Sequence, residues 1–273
     1  MLLAIVLLSW APVAAAQKCS GLTATNLVFT NYAPFGPGVS ATSTITYTCD
    51  PGVTQAWIGI ADIRALSSAG NRLQYEIYTS ADRSAVWPDA PPIAVPAGPT
   101  NTVTAYGFLP PQDAAAGSYS GTQRVVLYSG SNQVRSDQIV MQVSAIIAPA
   151  CTIGAGTLAF GGYDPIGANA TTPLDAQGTF QVACTRNTVY AVGLGPGSFA
   201  AGATRRMANG TQRLGYELYS DPGRTAVWSA ASTVAGTAPS ISPVTLTVYG
   251  RIPAGQSVTA GAYADTVQST INF

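Results

Sequence analysis

The chain contains the same unit twice. Residues 72–87 read RLQYEIYTSADRSAVW and residues 213–228 read RLGYELYSDPGRTAVW, which align without a gap at an offset of 141 (213 minus 72). Tyr106 and Gly107 match Tyr249 and Gly250 further along the chain. A period of this length is too long for a solenoid repeat and indicates a duplicated domain.

Each copy has the pattern of a β-sheet protein. Short stretches such as 44–48, 74–78 and 124–128 are rich in β-branched and aromatic residues, and clusters of Gly, Pro, Asn and Asp separate them. Many short strands at such spacing are typical of an antiparallel sandwich. The sequence therefore predicts two tandem immunoglobulin-like antiparallel β-sandwiches, covering residues 17–146 and 147–273.

The composition argues against several classes of function. There are 12 basic and 12 acidic residues, so the formal net charge is zero, which disfavours nucleic acid as a partner. Histidine is absent, which removes the commonest general base and a principal metal ligand. Glu76 and Glu217 occupy equivalent places in the repeat, which favours a structural role, and Arg205 and Arg206 are interpreted as a solvated loop. We predict no catalytic, cofactor or metal site.

Residues 1–16 have the features of a signal peptide. The run from Leu2 to Trp10 is apolar and Ala14, Ala15 and Ala16 follow it, so cleavage is expected before Gln17. A short membrane anchor is the alternative, but the run falls short of the roughly 20 residues that a span needs. We therefore expect the protein to be exported through the periplasm.

Export implies that the four cysteines form disulfides. Cys19 and Cys49 are 30 residues apart (49 minus 19), and Cys151 and Cys184 are 33 apart (184 minus 151). Such similar spacings favour one disulfide in each domain, Cys19 with Cys49 and Cys151 with Cys184. A metal site is disfavoured because the chain has neither a CxxC motif nor histidine.

The two copies differ after the matching residues Thr122 and Thr266. The first copy continues through a turn and one more strand pattern, residues 137–143, whereas the second continues only over residues 267–273. The second sandwich is therefore predicted to lack its final strand. An open groove and an unpaired sheet edge would result, and a strand from another protein could fill them.

The other end of the chain points the same way. Only Gln17 and Lys18 would precede Cys19 after cleavage, and this is too short to serve as a donor strand. We therefore expect a subunit that accepts a strand and cannot give one, which would sit at the distal tip of a fibre.

Several motifs of the second copy resemble the spore coat protein U family, whose domain forms the subunits of archaic chaperone–usher (Csu-type) pili. The matching residues are Cys151, Tyr163, Asp164, Pro165, Cys184, Leu214, Tyr216, Leu218, Tyr219, Trp228, residues 248–253, Gly261, Tyr263 and Asp265. The first copy matches more loosely, since it has Gly121 in place of Asp265.

The resemblance implies a fimbrial tip adhesin that mediates surface attachment and biofilm formation. It also implies a periplasmic chaperone, an outer-membrane usher and a neighbouring pilin that donates a strand. Five residues are assigned to the donor-strand groove: alternation predicts that Leu158, Phe160, Val267 and Ile271 line it, and Phe273 is expected at its end as the first point that a chaperone holds.

The first domain is expected to bind the unknown surface ligand at the end away from the second domain. The loops predicted there are 50–54, 80–100 and 129–136. The middle loop is apolar and rich in proline, and its candidate contact residues are Trp87, Pro91, Pro92, Ile93 and Val95. Core packing is the alternative for Trp87, because Trp228 occupies the same place in the second copy.

One rival function belongs to another class. A structural spore-coat or cell-coat protein could use the same open edge to assemble into a layer. An enzyme would need a catalytic group that the sequence does not offer.

Overall fold

A computed structural model describes residues 17–273. The predicted signal peptide, residues 1–16, lies outside the described residues. Within residues 17–273, the only helical segment is a 3-10 turn at Ala168–Ala170, and no helix is long and apolar enough to cross a membrane.

The first domain is a sandwich of two sheets. Its strands are β1 (Cys19–Ala24), β2 (Leu27–Tyr32), β3 (Val39–Cys49), β4 (Ala56–Ala61), β5 (Ala65–Ser68), β6 (Asn71–Gln74), β7 (Glu76–Tyr78), β8 (Ile93–Val95), β9 (Asn101–Leu109), β10 (Gly117–Ser129) and β11 (Val134–Ile147). One sheet has the order β1-β3-β9-β7 and the other β2-β11-β10-β4-β8, with β5 and β6 attached beside β10.

The second domain repeats this arrangement with fewer strands. Its strands are β12 (Cys151–Ile153), β13 (Leu174–Cys184), β14 (Val189–Leu194), β15 (Arg205–Asn209), β16 (Gln212–Tyr219), β17 (Val234–Thr237), β18 (Val244–Ile252) and β19 (Ser269–Asn272). One sheet has the order β12-β13-β18-β16-β15, and the other consists of β17-β14-β19.

The predicted fold class is confirmed: two immunoglobulin-like β-sandwiches follow one another, and the second lacks its final strand. One pairing is not antiparallel, because β2 runs parallel to β11. The reason is that the first strand of the domain is divided, with β1 in one sheet and β2 in the other. The second part of that divided strand therefore lies beside the last strand of the domain.

Each domain contains one disulfide, between the cysteines that the spacing favours. Cys19 and Cys49 face each other across β1 and β3, and Cys151 and Cys184 face each other across β12 and β13. On the loop-entropy estimate, each stabilises its domain by roughly 3–4 kcal/mol. Disulfides of this kind are typical of exported proteins.

A tryptophan and an arginine form the same network in both cores. Trp87 and Trp228 are each 1% exposed, and their indole Nε1 atoms donate to the carbonyl oxygens of Ile58 (3.1 Å) and Val192 (2.7 Å). The carbonyl oxygen of Trp87 accepts a hydrogen bond from Arg64, and that of Trp228 accepts one from Arg205.

Each of these arginines also forms an ion pair with the repeated glutamate, Arg64 with Glu76 and Arg205 with Glu217. Arg205 is only 2% exposed and donates to the carbonyl oxygens of Leu194 and Gly195 as well. The interpretation of Arg205 as a solvated loop residue is therefore wrong. Its guanidinium takes the place of water for carbonyl groups that the sheet leaves without a backbone partner.

The domains meet over a short connection. β11 ends at Ile147, one residue past the predicted boundary, and β12 begins at Cys151. Arg186 of the second domain donates from Nη2 to Asn71 Oδ1 of the first at 2.7 Å, and its backbone N–H donates to the Ala114 carbonyl oxygen at 3.2 Å. The junction is thus formed by polar contacts as well as by the chain itself.

We expect Arg64→Ala to lower the free energy of unfolding of the first domain by about 3 kcal/mol, because it removes one partner of the largely buried ion pair with Glu76. Arg135→Ala is the matched control: this arginine is exposed, and its loss should change stability by about 0.5 kcal/mol or less. Urea unfolding of the full chain measures both, and equal losses would contradict the role assigned to Arg64.

Candidate functional site

The final strand of the first domain fills a groove between two other segments. β11 pairs antiparallel with β10 over its whole length and parallel with β2. Its alternate residues point into the core, and the four most buried are only 0–2% exposed: Met141, Val143, Ala145 and Ile147. This strand therefore completes the sheet and covers the core at the same time.

In the second domain the two flanking segments are present, but the strand between them is absent. Leu158, Phe160 and Tyr163 match Leu27, Phe29 and Tyr32 of β2, yet residues 158–163 form no strand. Residues 261–268 match the first part of β10, and their one ladder contact is the isolated bridge from Ala264 to Ala208. Both segments thus lack the neighbour that pairs with them in the first domain.

An open groove of about 1480 Å³ lies between these segments. Its larger apolar lining residues are Leu158, Phe160, Ile166, Phe180, Leu194, Met207, Leu214, Leu218, Val248, Ile252, Val258 and Val267. Several of these belong to the core cluster of the domain, including Phe180, Leu214 and Ile252. The groove therefore opens directly onto the hydrophobic core.

Three of the five predicted groove residues line this space, namely Leu158, Phe160 and Val267. Ile271 is half-buried against the same core but lies outside the lining. Phe273 is 59% exposed and also lies outside it. These last residues belong to or follow β19, which pairs with β14 and places Asn272 opposite Ala191.

A glycine makes room for the apolar floor of the groove. A Cβ atom at Gly250 would lie 2.7 Å from the ring of Phe160 and 3.0 Å from Leu158. Gly107 has the same relation to Leu27 and Phe29 in the first domain. Phe160 also contacts Tyr216, with ring centroids 5.9 Å apart. These contacts hold Leu158 and Phe160 in place although they belong to no strand.

Two carboxylate residues, Asp164 and Asp265, lie within the largely apolar lining. Asp265 accepts hydrogen bonds from the Tyr216 hydroxyl (2.8 Å) and from the backbone N–H of Ser198 (2.9 Å). Burial raises the pKa of Tyr216, and the hydrogen bond to Asp265 raises it further. Asp265 therefore fastens the loop before β15 to the edge of the groove. In the sequence, Asp265 stands out only as part of a motif. The one sign of a role specific to the second domain is that the first copy has Gly121 at the matching position.

The structure corrects part of the predicted surface-binding loop. Trp87 is a core residue, so its assignment to a binding surface is wrong. Ile93 and Val95 belong to strand β8, which pairs with β4, and their side chains are half-buried against the core. The second domain has an equivalent strand, β17 beside β14, so β8 is part of the shared scaffold.

The two prolines of this segment are placed differently. Pro91 is exposed and Pro92 is half-buried. The strand ends farthest from the second domain are joined by residues 50–55, 96–100 and 130–133, because Ala56 pairs with Ser129 there and Asn101 with Tyr47. These loops overlap the predicted ones, but only the last part of the predicted loop 80–100 lies there. Within residues 17–273, no group of three or more Cys, His, Asp or Glu side chains could hold a metal ion.

Comparison with known proteins supports the reading of both domains. Residues 5–126 and 138–270 match the model of the Spore Coat Protein U domain. Protein U of Myxococcus xanthus is 41% identical in an alignment of 147 positions that covers 47% of this chain and 80% of that protein. The resemblance predicted from the motifs is therefore confirmed.

One solved structure shares the fold over nearly the whole chain. The chaperone–tip adhesion subunit pre-assembly complex CsuC–CsuE, from the archaic chaperone–usher Csu pili of Acinetobacter baumannii, matches with a TM-score of 0.58 and 16% identity, covering 94% of this chain and 100% of that one. The CupB6 tip adhesin of Pseudomonas aeruginosa matches with a TM-score of only 0.37 at 11% identity, over 94% of this chain and 96% of that one. The first similarity establishes a fold like that of a chaperone–usher pilus subunit.

Proposed function

We propose that this chain, which belongs to the Spore Coat Protein U domain family, is the tip adhesin of a chaperone–usher pilus. Its second domain would accept a strand from a neighbouring pilin, and its first domain would contact the surface to which the cell attaches and on which biofilm forms. The observation that carries the proposal is the open groove in the second domain, at the position that β11 fills in the first.

Strand β11 contributes a large share of the apolar burial in the first domain. Met141, Val143 and Ile147 are almost fully buried in the first domain. Removing three such side chains would uncover apolar surface worth roughly 5–9 kcal/mol, at about 1.5–3 kcal/mol each. This is comparable with the whole stability of a typical domain, about 5–15 kcal/mol. An added strand would therefore decide whether the second domain stays folded.

The pairing of β11 also suggests how the donor strand would lie. β11 runs antiparallel to β10 and parallel to β2. By the same geometry, a donor would run antiparallel to residues 261–268 and parallel to residues 158–163, with every second side chain pointing into the groove. Leu158, Phe160 and Val267 would receive those side chains.

The division of the chain into a complete and an incomplete domain supports a position at the tip. The first domain contains its own final strand, so it needs no donor and is free to contact another surface. The CsuE subunit, which shares this fold, is described as a tip adhesion subunit in complex with its chaperone. A chaperone that occupies the groove before assembly, followed by delivery to an outer-membrane usher, is the route we propose here.

The attachment surface is proposed to lie at the far end of the first domain. The loops 50–55, 96–100 and 130–133 meet there, away from the connection to the second domain. Ile93 and Val95 are less suitable for testing this surface, because polar replacements there would also weaken the core.

The location of the protein on the cell tests the tip assignment. We expect a label on the first domain to appear once, at the free end of each fibre, in immunoelectron microscopy of piliated cells. A label spread evenly over the envelope would instead favour the structural coat protein. A label along the fibre shaft would contradict the tip assignment.

Closure of the groove tests the strand-acceptor role. We expect Gly250→Val to push Leu158 and Phe160 into the groove, since a Cβ there already approaches Phe160 to 2.7 Å. Calorimetry on the full chain would measure the binding of a peptide with the sequence of residues 137–147. Its dissociation constant should rise by roughly tenfold or more, which corresponds to a loss of about 1.4 kcal/mol in binding free energy.

Thr270→Val is the matched control for this experiment. Thr270 is an exposed residue of β19, and alternation directs it away from the groove. Peptide binding should therefore be unchanged by this substitution. Equal affinity for the peptide in the Gly250→Val variant and its parent would refute the proposed mode of binding.

A further inference from the structure

Two methionines of the described chain lie in contrasting surroundings. Met141 belongs to β11 and is 0% exposed in the core of the first domain. Met207 belongs to β15 of the second domain, where it is half-buried and lines the open groove. The third methionine, Met1, lies in the predicted signal peptide, outside the described residues. A thioether that faces an open groove can meet oxidants in solution, whereas a close-packed core shields the thioether inside it.

The first domain has a fully covered residue at the position of Met207. At the repeat offset of 141 (207 minus 66), Met207 corresponds to Leu66, which is 0% exposed. The backbone pairing supports this correspondence, because Leu66 lies opposite Leu73 and Met207 lies opposite Leu214, the matching residue of the repeat. The same position is therefore closed in one domain and open in the other.

The missing strand accounts for this difference. In the first domain Ser67 of β5 pairs with Ser120 of β10, and β11 also contacts β5. In the second domain the first of these two neighbours is in place, since Ala208 of β15 bridges to Ala264. The neighbour that Met207 lacks is the equivalent of β11. A strand that enters the groove would therefore cover the side chain of Met207.

Oxidation would change this position from apolar to polar. A peroxide transfers one oxygen atom to the thioether sulfur, which is oxidised by two electrons to a sulfoxide. The O–O bond breaks, the proton of the transferred oxygen passes to the leaving oxygen, and the peroxide departs as water or an alcohol. Because Met207 and its neighbour Leu214 both belong to the apolar lining, an incoming strand would cut the sulfoxide oxygen off from water. A buried acceptor without a donor opposes such binding.

We infer that Met207 is an oxidation site for peroxides that is open in the unassembled subunit, and that its sulfoxide keeps the donor strand out of the groove. A bound strand would in turn protect the sulfur, so only subunits that have not yet been assembled are sensitive. Enzymes that reduce methionine sulfoxide would reverse the block. The effect on assembly rests on the proposed strand-acceptor function, whereas the reactivity of Met207 in the free chain does not.

Peroxide labelling of the full chain tests the accessibility of the sulfur. The chain is treated with hydrogen peroxide, and the methionine-containing fragments are analysed by mass spectrometry. Met207 should take up one oxygen atom at least about tenfold faster than Met141, which serves as the internal control in the same molecule. Equal rates at the two methionines would overturn the inference.

Protection by a strand is the second measurement. The ligand is the peptide of residues 137–147 carrying Met141→Leu, so that the peptide itself contains no thioether. At a saturating concentration of this peptide, oxidation of Met207 should slow by about tenfold or more. If the peptide binds and Met207 reacts at an undiminished rate, the inference is wrong and the strand-acceptor function still stands. A chain that binds no peptide would contradict both.

The effect of the sulfoxide on strand binding is the third measurement. After peroxide treatment, the dissociation constant of the same peptide should rise by roughly tenfold or more, which corresponds to about 1.4 kcal/mol. In the Met207→Leu variant, which introduces the residue that the first domain has at this position, the constant should be the same before and after treatment.

Met141→Leu in the full chain is the matched control. It exchanges the other described methionine for a residue of similar volume, and it should leave the response to peroxide as large as in the parent chain. A treated Met207→Leu chain that lost affinity as the parent does would assign the effect to another residue and refute the inference.

Discussion

A single strand is the constraint on which the rest of this molecule depends. β11 supplies backbone partners to β10 and β2 and covers the core with Met141, Val143 and Ile147. The second domain has the same two flanking segments and no such strand, so apolar surface faces an open groove of about 1480 Å³. The absence of one strand leaves the core uncovered and the sheet edge unpaired at the same time. One added strand would therefore cover the core and pair the edge.

The duplication explains why the two domains share the same internal framework. The Trp–Arg–Glu network, the disulfide and the glycine under the groove recur in both copies. Changes are concentrated at the groove and beside it. Gln123, buried under β11, corresponds to Val267 in the groove, and Gly121 corresponds to Asp265, which fastens the longer loop of the second domain.

Much of the groove could be predicted from the sequence, because the repeat provides an internal comparison. Leu158, Phe160 and Val267 follow from alignment and alternation alone, and the missing strand is visible as a stretch without a counterpart. Ile271 and Phe273, which the same alternation assigns to the groove, lie outside its lining, since Ile271 packs against the core from β19 and Phe273 is 59% exposed.

Other features depend on contacts between distant segments and could not be read from local patterns. Strand β8 is only three residues long and follows two prolines, so its local sequence predicts a loop. Only its pairing with β4 shows that it is a strand. The burial of Arg205 likewise depends on carbonyl groups of Leu194 and Trp228, which are distant in sequence. The local sequence does not indicate which of two adjacent arginines is buried.

The most direct measurement of the central claim is to give the second domain a final strand of its own. A copy of residues 130–147, which contain the turn and β11, would be attached after Phe273, and the thermal unfolding of the full chain would be recorded. We expect the unfolding transition of the second domain to move to a higher temperature and the chain no longer to bind the peptide of residues 137–147. An unchanged transition together with undiminished peptide binding would contradict it.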